Sequence, residues 1–303
     1  MKASLNIAAA GLLLAPGVAA WGSLGHITAA FIASHFVENT TQAHFQELLR
    51  NDDDDYLAKV ATWADSIRYT KWGRFTKNFH FIDAHDNPPE SCNVDFERDC
   101  KDDGCIVTAL ANYTAQTLDT ELPSWRRMQA TKFVLHFVED LHQPLHNEDV
   151  QRGGNGIYVK WDGRNFNLHH VWDSSIAEKW IGGMRGQPFP IAAKWANQLV
   201  VEITDGKFAE EKDEWLSEMD FSDPMKTAMA WSREANALVC SHVFPEGPAA
   251  IVGKELGGEY FEKAGPVIEK QVARAGFRLA AWLDHIAAEY EARKENGNTA
   301  VEL

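Results

Sequence analysis

The sequence predicts a mainly α-helical single domain carrying one small β-hairpin, and three observations lead there. Apolar residues recur at spacings of three and four along most of the chain, as in helices that bury one face. One stretch, residues 151–168 (QRGGNGIYVKWDGRNFNL), instead alternates around Asp162-Gly163, a dipeptide suited to a two-residue hairpin turn. No repeat or low-complexity linker divides the chain.

Residues 1–20 read as a secretory signal peptide. Lys2 gives the positive start, residues 7–14 the short apolar stretch, and Val18 with Ala20 the small residues before a cut. That stretch is too short to span a bilayer and no later one qualifies, so no membrane association is expected. Cleavage after Ala20 makes Trp21 the new N-terminus. It leaves one domain, 21–290, and a polar tail, 291–303, expected to fray from Lys294.

Within the domain, helical spacing covers residues 25–36, 56–69, 106–118, 125–140, 174–180, 191–204, 224–243 and 260–293. Residues 84–105 (AHDNPPESCNVDFERDCKDDGC) break it as a Pro- and Asp-rich loop with three of the four cysteines. Cys92, Cys100, Cys105 and Cys240 suit two disulfides in an oxidising compartment, with three connectivities open. Asn39-Thr40-Thr41 and Asn112-Tyr113-Thr114 are acceptable glycosylation sequons. Together these features predict a secreted protein.

The formal net charge is −15. A duplex-binding protein normally carries a basic stripe, because counterion release from phosphates supplies much of its affinity. No such stripe is visible across the chain, so a polyanionic ligand would have to be held locally by metal. The plainer role of the charge is solubility outside the cell.

The chemistry concentrates in the histidines. In HFVEDLHQPLH, His136 and Asp140 are four apart and His146 follows a Q-P break; in NLHHVWD, His169 and Asp173 are again four apart. On a helix that spacing puts an imidazole and a carboxylate on one face, a donor pair suited to zinc. A single such pair is more often a satisfied core or surface histidine. Two pairs with a third histidine between them predict a multi-zinc hydrolase. Asp65 in ATWAD, His80 in FHFID and His26 in WGSLGH would complete the set, although each alone reads as a helix cap or a core histidine. Trp63, Trp161 and Trp172 are expected in the core, and His142 and His170 as packing or supporting residues.

The ordered motifs WGSLGH, ATWADSIRY, FHFIDAHDNPPESC, KFVLHFVEDLHQPLH, GGNG, NLHHVWD and RLAAWLD closely resemble the secreted fungal zinc-dependent, single-strand-specific nucleases, the nuclease S-one and P-one family. The resemblance covers residues 21 to about 286. It implies a fold related to that of zinc-dependent phospholipase C and three Zn2+ ions. Asp65, His80, His136 and Asp140 would hold the first, and His146, His169 and Asp173 the second. The third would take His26, Asp140 and the amino nitrogen and carbonyl oxygen of Trp21.

It further implies hydrolysis of single-stranded DNA and RNA to 5′-phosphorylated products, with 3′-nucleotidase activity, by a zinc-bound hydroxide attacking phosphorus. Asp65 would orient the water, while Arg68 and Asn155 stabilise the phosphate charge. Phe81 would stack on a base and Asp83 bond its edge. The disulfides would pair Cys92 with Cys240 and Cys100 with Cys105, and a monomer is expected. Two other readings stand beside this one. A zinc-dependent phospholipase C shares the metal chemistry but not the FHFID and GGNG contacts. An inactive zinc-stabilised secreted binding protein is disfavoured by the full ligand set and Arg68.

Overall fold

The computed structural model describes residues 21–299, so the expected signal peptide lies outside the described residues. In chain order the first helices are α1 (Ser23–Phe36), α2 (Asn39–Leu49), α3 (Trp63–Ile67), α4 (Phe96–Asp99), α5 (Ile106–Leu118) and α6 (Ser124–Asp140). Strands β1 (Tyr158–Trp161) and β2 (Arg164–Asn167) then pair antiparallel, Trp161 opposite Arg164. After them come α7 (Leu168–His170), α8 (Ile176–Trp180), α9 (Pro188–Thr204), α10 (Pro224–Leu238), α11 (Pro248–Ile251) and α12 (Glu259–Thr299). The mainly helical single-domain expectation holds, with this hairpin as the one sheet among the described residues. Asp162 and Gly163 both take positive φ, +49° and +78°, as a primed two-residue turn requires.

The helices start where local chemistry favours them. Asp223 caps α10 by accepting from the Lys226 amide at 3.0 Å, with Pro224 in the first turn. Asn167 does the same for α7, accepting from the His170 amide at 2.7 Å. Helix α1 is buried along most of its length and packs between α9 and α12, while α5 lies along α6. This places the apolar side of α6 in the core: Phe133 and Phe137 stack with Tyr113 around them, and Trp231 packs on Trp282. Trp161 and Trp172 are buried and Trp63 packs partly buried on Phe133, as expected.

Besides the short helices α4 and α11, which the sequence reading did not contain, the structure departs from it at four places. Residues 56–62 form successive turns rather than the start of a helix, with Val60 N–H bonded to Leu57 O and Trp63 N–H to Val60 O. The segment buries Tyr56, Leu57, Ala58 and Ala61, and the Ala61 carbonyl is taken by His136, so it cannot extend a helical ladder. Helix α2 was not anticipated because its first half is polar; Thr41, Phe45, Leu48 and Leu49 are what it buries. Residues 74–80 form a 3-10 helix, Arg74–His80. Finally, α12 continues past Lys294 to Thr299.

Candidate metal centre

The centre is assembled where α1, the α3 region, the 3-10 segment and the end of α6 meet. Helix α6 contributes His136 and Asp140, whose four-residue spacing aligns them as the sequence predicted: His136 Nε2 lies 3.2 Å from Asp140 Oδ2. Asp140 is fully buried and is approached by three further imidazoles. His80 Nδ1 is 3.0 Å away, His26 Nε2 3.4 Å and His146 Nδ1 3.5 Å. Asp65 in α3 closes one side, with Oδ1 3.6 Å from His136 Nε2 and 3.9 Å from His80 Nδ1.

His169 and Asp173 form the neighbouring group with His146. The helix from Leu168 to Trp180 widens to a π turn over Val171–Ser175, and Asp173 sits in that turn. Its carboxylate lies 3.2 Å from His169 Nε2 and 3.7 Å from His146 Nε2.

Backbone carbonyls orient these rings. His136 Nδ1–H donates to Ala61 O at 2.7 Å, His146 Nδ1–H to His80 O at 2.9 Å and His169 Nδ1–H to Gly153 O at 2.6 Å. Each bond fixes the tautomer that leaves Nε2 as a ligand. Gly153 belongs to a turn in which residues 151–154 all take positive φ. A Cβ at Gly153 would come within 2.7 Å of Leu145 O, so glycine alone fits there.

The donor set calls for a cation. Three groups bring their ligand atoms within 4.8 Å of one another: His26, Asp65 and His136; His80, His136 and Asp140; His146, His169 and Asp173. Inside them His26 Nε2, Asp65 Oδ1 and Asp140 Oδ1 are buried without a hydrogen-bond partner. Such atoms cost about 1–3 kcal/mol each when left unsatisfied, and a metal ion satisfies all of them. A fourth group, Asp86, Cys92 and Glu148, is different because Cys92 is committed to a disulfide.

The electrostatics favour ligation at three of the imidazoles, while neighbouring carboxylates raise His26 and His136 against the effect of burial, as a buried acidic cluster does where no cation balances it. Burial holds His80 and His169 down to about 4 and His146 to about 3, so these imidazoles stay neutral and can ligate. Burial and the nearby Asp140 and Asp65 carboxylates push Asp173 well above the usual carboxylate range. Against the opposing effect of burial, the His136 and Arg68 charges hold Asp65 below that range.

The remaining predicted residues fall around this centre. Arg68 caps the end of α3, its guanidinium 3.4 Å from Asp65 Oδ1 and bonded to Tyr69 Oη at 3.1 Å. Asn155 follows the left-handed turn; its amide donates to Arg152 O at 2.9 Å while its Oδ1 is buried and unpaired. Phe81 and Asp83 line one pocket of about 70 Å³ with Asn78 and Lys101. Lys101 donates to Asp83 Oδ2 at 2.8 Å, a partner not anticipated from sequence. Trp21 is buried, its indole donating to Glu139 O at 2.8 Å. His142 and His170 pack away from the cluster: His142 Nε2 pairs with Arg278 at 3.0 Å and His170 stacks on Phe166.

Two supporting residues escaped the sequence reading although both lie in HFVEDLHQPLH. Glu139 is fully buried, with Oε2 2.5 Å from His26 Nδ1, and burial raises its carboxyl to about 7. Gln143 donates to Asp173 Oδ1 at 2.5 Å. Fixed ring orientation requires such partners, and that was the available signal. Cys92 pairs with Cys240 and Cys100 with Cys105, closing the 84–105 loop. Asn39 and Asn112 are both exposed, on α2 and α5.

Known proteins are similar to the chain along nearly their whole length. The chain is 46% identical over 289 residues to Nuclease S1 of Aspergillus oryzae (strain ATCC 42149 / RIB 40), spanning 95% of this chain and 99% of that protein. It is 42% identical over 266 residues to Nuclease P1 of Penicillium citrinum, 88% and 97% of the two chains. Endonuclease 4 of Arabidopsis thaliana is 32% identical over 286 residues, 89% and 90%. The S1/P1 Nuclease family pattern matches residues 21–288, the span that contains every residue of the metal centre, and the chain belongs to that family.

Proposed function

We propose that this nuclease is secreted, works as a monomer with three zinc ions, and hydrolyses the phosphodiesters of single-stranded DNA and RNA to 5′-phosphorylated products, with 3′-nucleotidase activity. The observation that carries the reading is Asp140, buried with four imidazoles 3.0–3.5 Å from its carboxylate. Asp65, His80, His136 and Asp140 would hold one zinc, and His146, His169 and Asp173 a second. His26 and Asp140, with the amino nitrogen and carbonyl oxygen of a freed Trp21, would hold a third. Zinc in such a site supplies Lewis acidity, activating water near neutral or acidic pH and neutralising charge on the phosphate and the departing 3′ oxygen.

The protein groups divide the remaining work. Asp65, kept ionised by its surroundings, orients the attacking water. Arg68, held beside Asp65, binds the non-bridging phosphate oxygens, and Asn155 adds its amide. Phe81 offers a base a face to stack on, and Asp83 accepts from its edge; stacking requires an unpaired base, which selects single strands. The two disulfides suit an oxidising compartment, in keeping with a leader cut before Trp21.

The test is digestion of a single-stranded oligonucleotide and its duplex by the chain beginning at Trp21. Release of 5′-phosphorylated products from the single strand, with the duplex largely spared, is expected. Equal cleavage of both, or none by zinc-loaded protein, would overturn the reading.

A further inference from the structure

The chain's acidic total conceals a local exception beside the metal centre. Residues 68–76 repeat a basic–aromatic–small triplet three times: Arg68-Tyr69-Thr70, Lys71-Trp72-Gly73 and Arg74-Phe75-Thr76, followed by Lys77. Between Ser66 and Phe79 there are four cations and no carboxylate, in a chain whose net charge is −15. The sequence as a whole shows no basic stripe; this segment is a short one.

The fold displays the repeat outward. Period three matches the turns and the 3-10 helix, Arg74–His80, that carry it, because such a ladder brings residues i and i+3 over one another. Tyr69, Trp72 and Phe75 are 65%, 56% and 63% exposed. Lys71, Arg74 and Lys77 are exposed and make no ion pair among the described residues, whereas the third position of each triplet turns inward. Exposed aromatics of this size, grouped together, mark a binding surface.

The segment is also fixed in place. It leaves from Asp65 and returns at His80, whose Nδ1 lies 3.9 Å from Asp65 Oδ1, so both of its ends are bolted to the metal centre. Its own bonds stiffen it: Gly73 N–H donates to Thr70 Oγ1 at 3.0 Å and Thr76 Oγ1–H to Gly73 O at 2.8 Å. Gly73 sits so close to Ile67 O that a Cβ would come within 2.4 Å. The inner edges of the aromatics rest on rings below, Trp72 on Trp63 at 6.1 Å and Phe75 on Phe79 at 6.0 Å between centroids. A surface ordered beforehand binds without paying to order itself.

We propose that Lys71, Trp72, Arg74, Phe75 and Lys77 form an accessory binding ridge for single-stranded nucleic acid. It takes nucleotides that flank the scissile bond, phosphates on the cations and bases on the rings. Alternating positive charge and aromatic faces are what an unpaired strand needs, with little dependence on base identity. On the 3-10 helix Arg74 and Lys77 are three residues and about 6 Å apart, whereas stacked bases in a duplex rise about 3.4 Å. The spacing therefore fits an unstacked strand. The proposal rests on the nuclease reading for its choice of ligand and adds a second contact region to it.

The test reads binding rather than cleavage. A fluorescent, cleavage-resistant phosphorothioate dodecamer of thymidylate is titrated by anisotropy into the zinc-loaded protein and two variants. One variant is Trp72→Ala with Phe75→Ala; the other is Lys71→Gln with Arg74→Gln and Lys77→Gln. The charge variant changes only exposed side chains without ion pairs among the described residues, so its unfolding midpoint should match wild type; the aromatic variant loses ring contacts with Trp63 and Phe79, and an unchanged circular dichroism spectrum reports its intact fold. Each variant should weaken binding by about tenfold or more. The charge variant should also flatten the salt dependence by about 2 in log–log slope, roughly 0.7 per lost phosphate contact. Wild-type affinity and salt slope in both variants would overturn the ridge. So would wild-type binding to vesicles containing phosphatidylserine but not to the strand, which would assign the surface to a lipid. Failure of the wild type to cleave any strand would count against the functional reading alone, because the probe need not be cut.

Discussion

Replacing Glu139 with Gln should weaken zinc binding without weakening the fold. Glu139 Oε2 lies 2.5 Å from His26 Nδ1, and the opposite ring nitrogen of His26 faces Asp140 Oδ1 at 3.4 Å. The carboxylate thus fixes which His26 nitrogen is free to ligate and raises its basicity. Glutamine keeps the size and an accepting oxygen but loses the charge. Losing an outer partner of this kind costs about 10- to 100-fold in metal affinity, or about 1.4–2.8 kcal/mol. Retention of the hydrogen bond places this variant near the lower figure.

The fold should respond with the opposite sign. The carboxyl is fully buried, its Oε1 has no partner, and burial already raises it to about 7. Removing a group that resists ionisation should leave the metal-free unfolding midpoint unchanged or higher. Competition against a zinc-chelating dye, with thermal unfolding of the stripped protein alongside, reads both quantities. Unchanged zinc affinity, or a fall in metal-free stability of the same size as the loss in affinity, would refute the reasoning.

Three further outcomes follow from the same geometry. Asp65→Asn should abolish most turnover while leaving circular dichroism and unfolding close to wild type, since Asp65 touches Arg68, His80 and His136 at the centre's edge; normal turnover would remove Asp65 from the site. Zinc held by His146, His169 and Asp173 should persist to lower pH than zinc held through His26 and His136. Burial lowers His146 to about 3 and His169 to about 4, whereas, against burial, neighbouring carboxylates raise His26 and His136 above the usual histidine value, so protons compete first at the latter two; zinc content after dialysis across pH 3–7 checks this, and loss of all zinc in one step by pH 6 would contradict it. Cys92→Ser with Cys240→Ser opens a link across 148 residues and should lower stability by about 2–5 kcal/mol, seen as an earlier denaturation midpoint; an unshifted midpoint would show that the helical core alone holds the 84–105 loop.

How much could be read in advance depended on whether a feature is local. The His136/Asp140 and His169/Asp173 pairs were legible because helical spacing alone puts them together, and Asp162-Gly163 because a two-residue turn needs its left-handed residues. Residues 56–62 were misread as helix because the competing partner of the Ala61 carbonyl, His136, comes from a helix 75 positions later. Glu139 was hidden for a related reason. It lies beside Asp140 in sequence, but its role is set by His26, which reaches it from α1. The Lys101–Asp83 pair likewise depends on how the disulfide-closed loop folds back on the 81–83 segment. The basic–aromatic triplets were on view in the sequence, yet a charge summed over the whole chain averaged them away.

The central claim is that these histidines and aspartates hold three zinc ions, one of them through the amino group of Trp21. Native mass spectrometry of the chain beginning at Trp21, compared with one carrying an extra residue before it, tests that claim most directly. Three zinc ions on the first chain, two tightly held on the second, and activity that disappears on chelation and returns with zinc are predicted. The same metal count on both chains, or activity indifferent to zinc, would contradict the account.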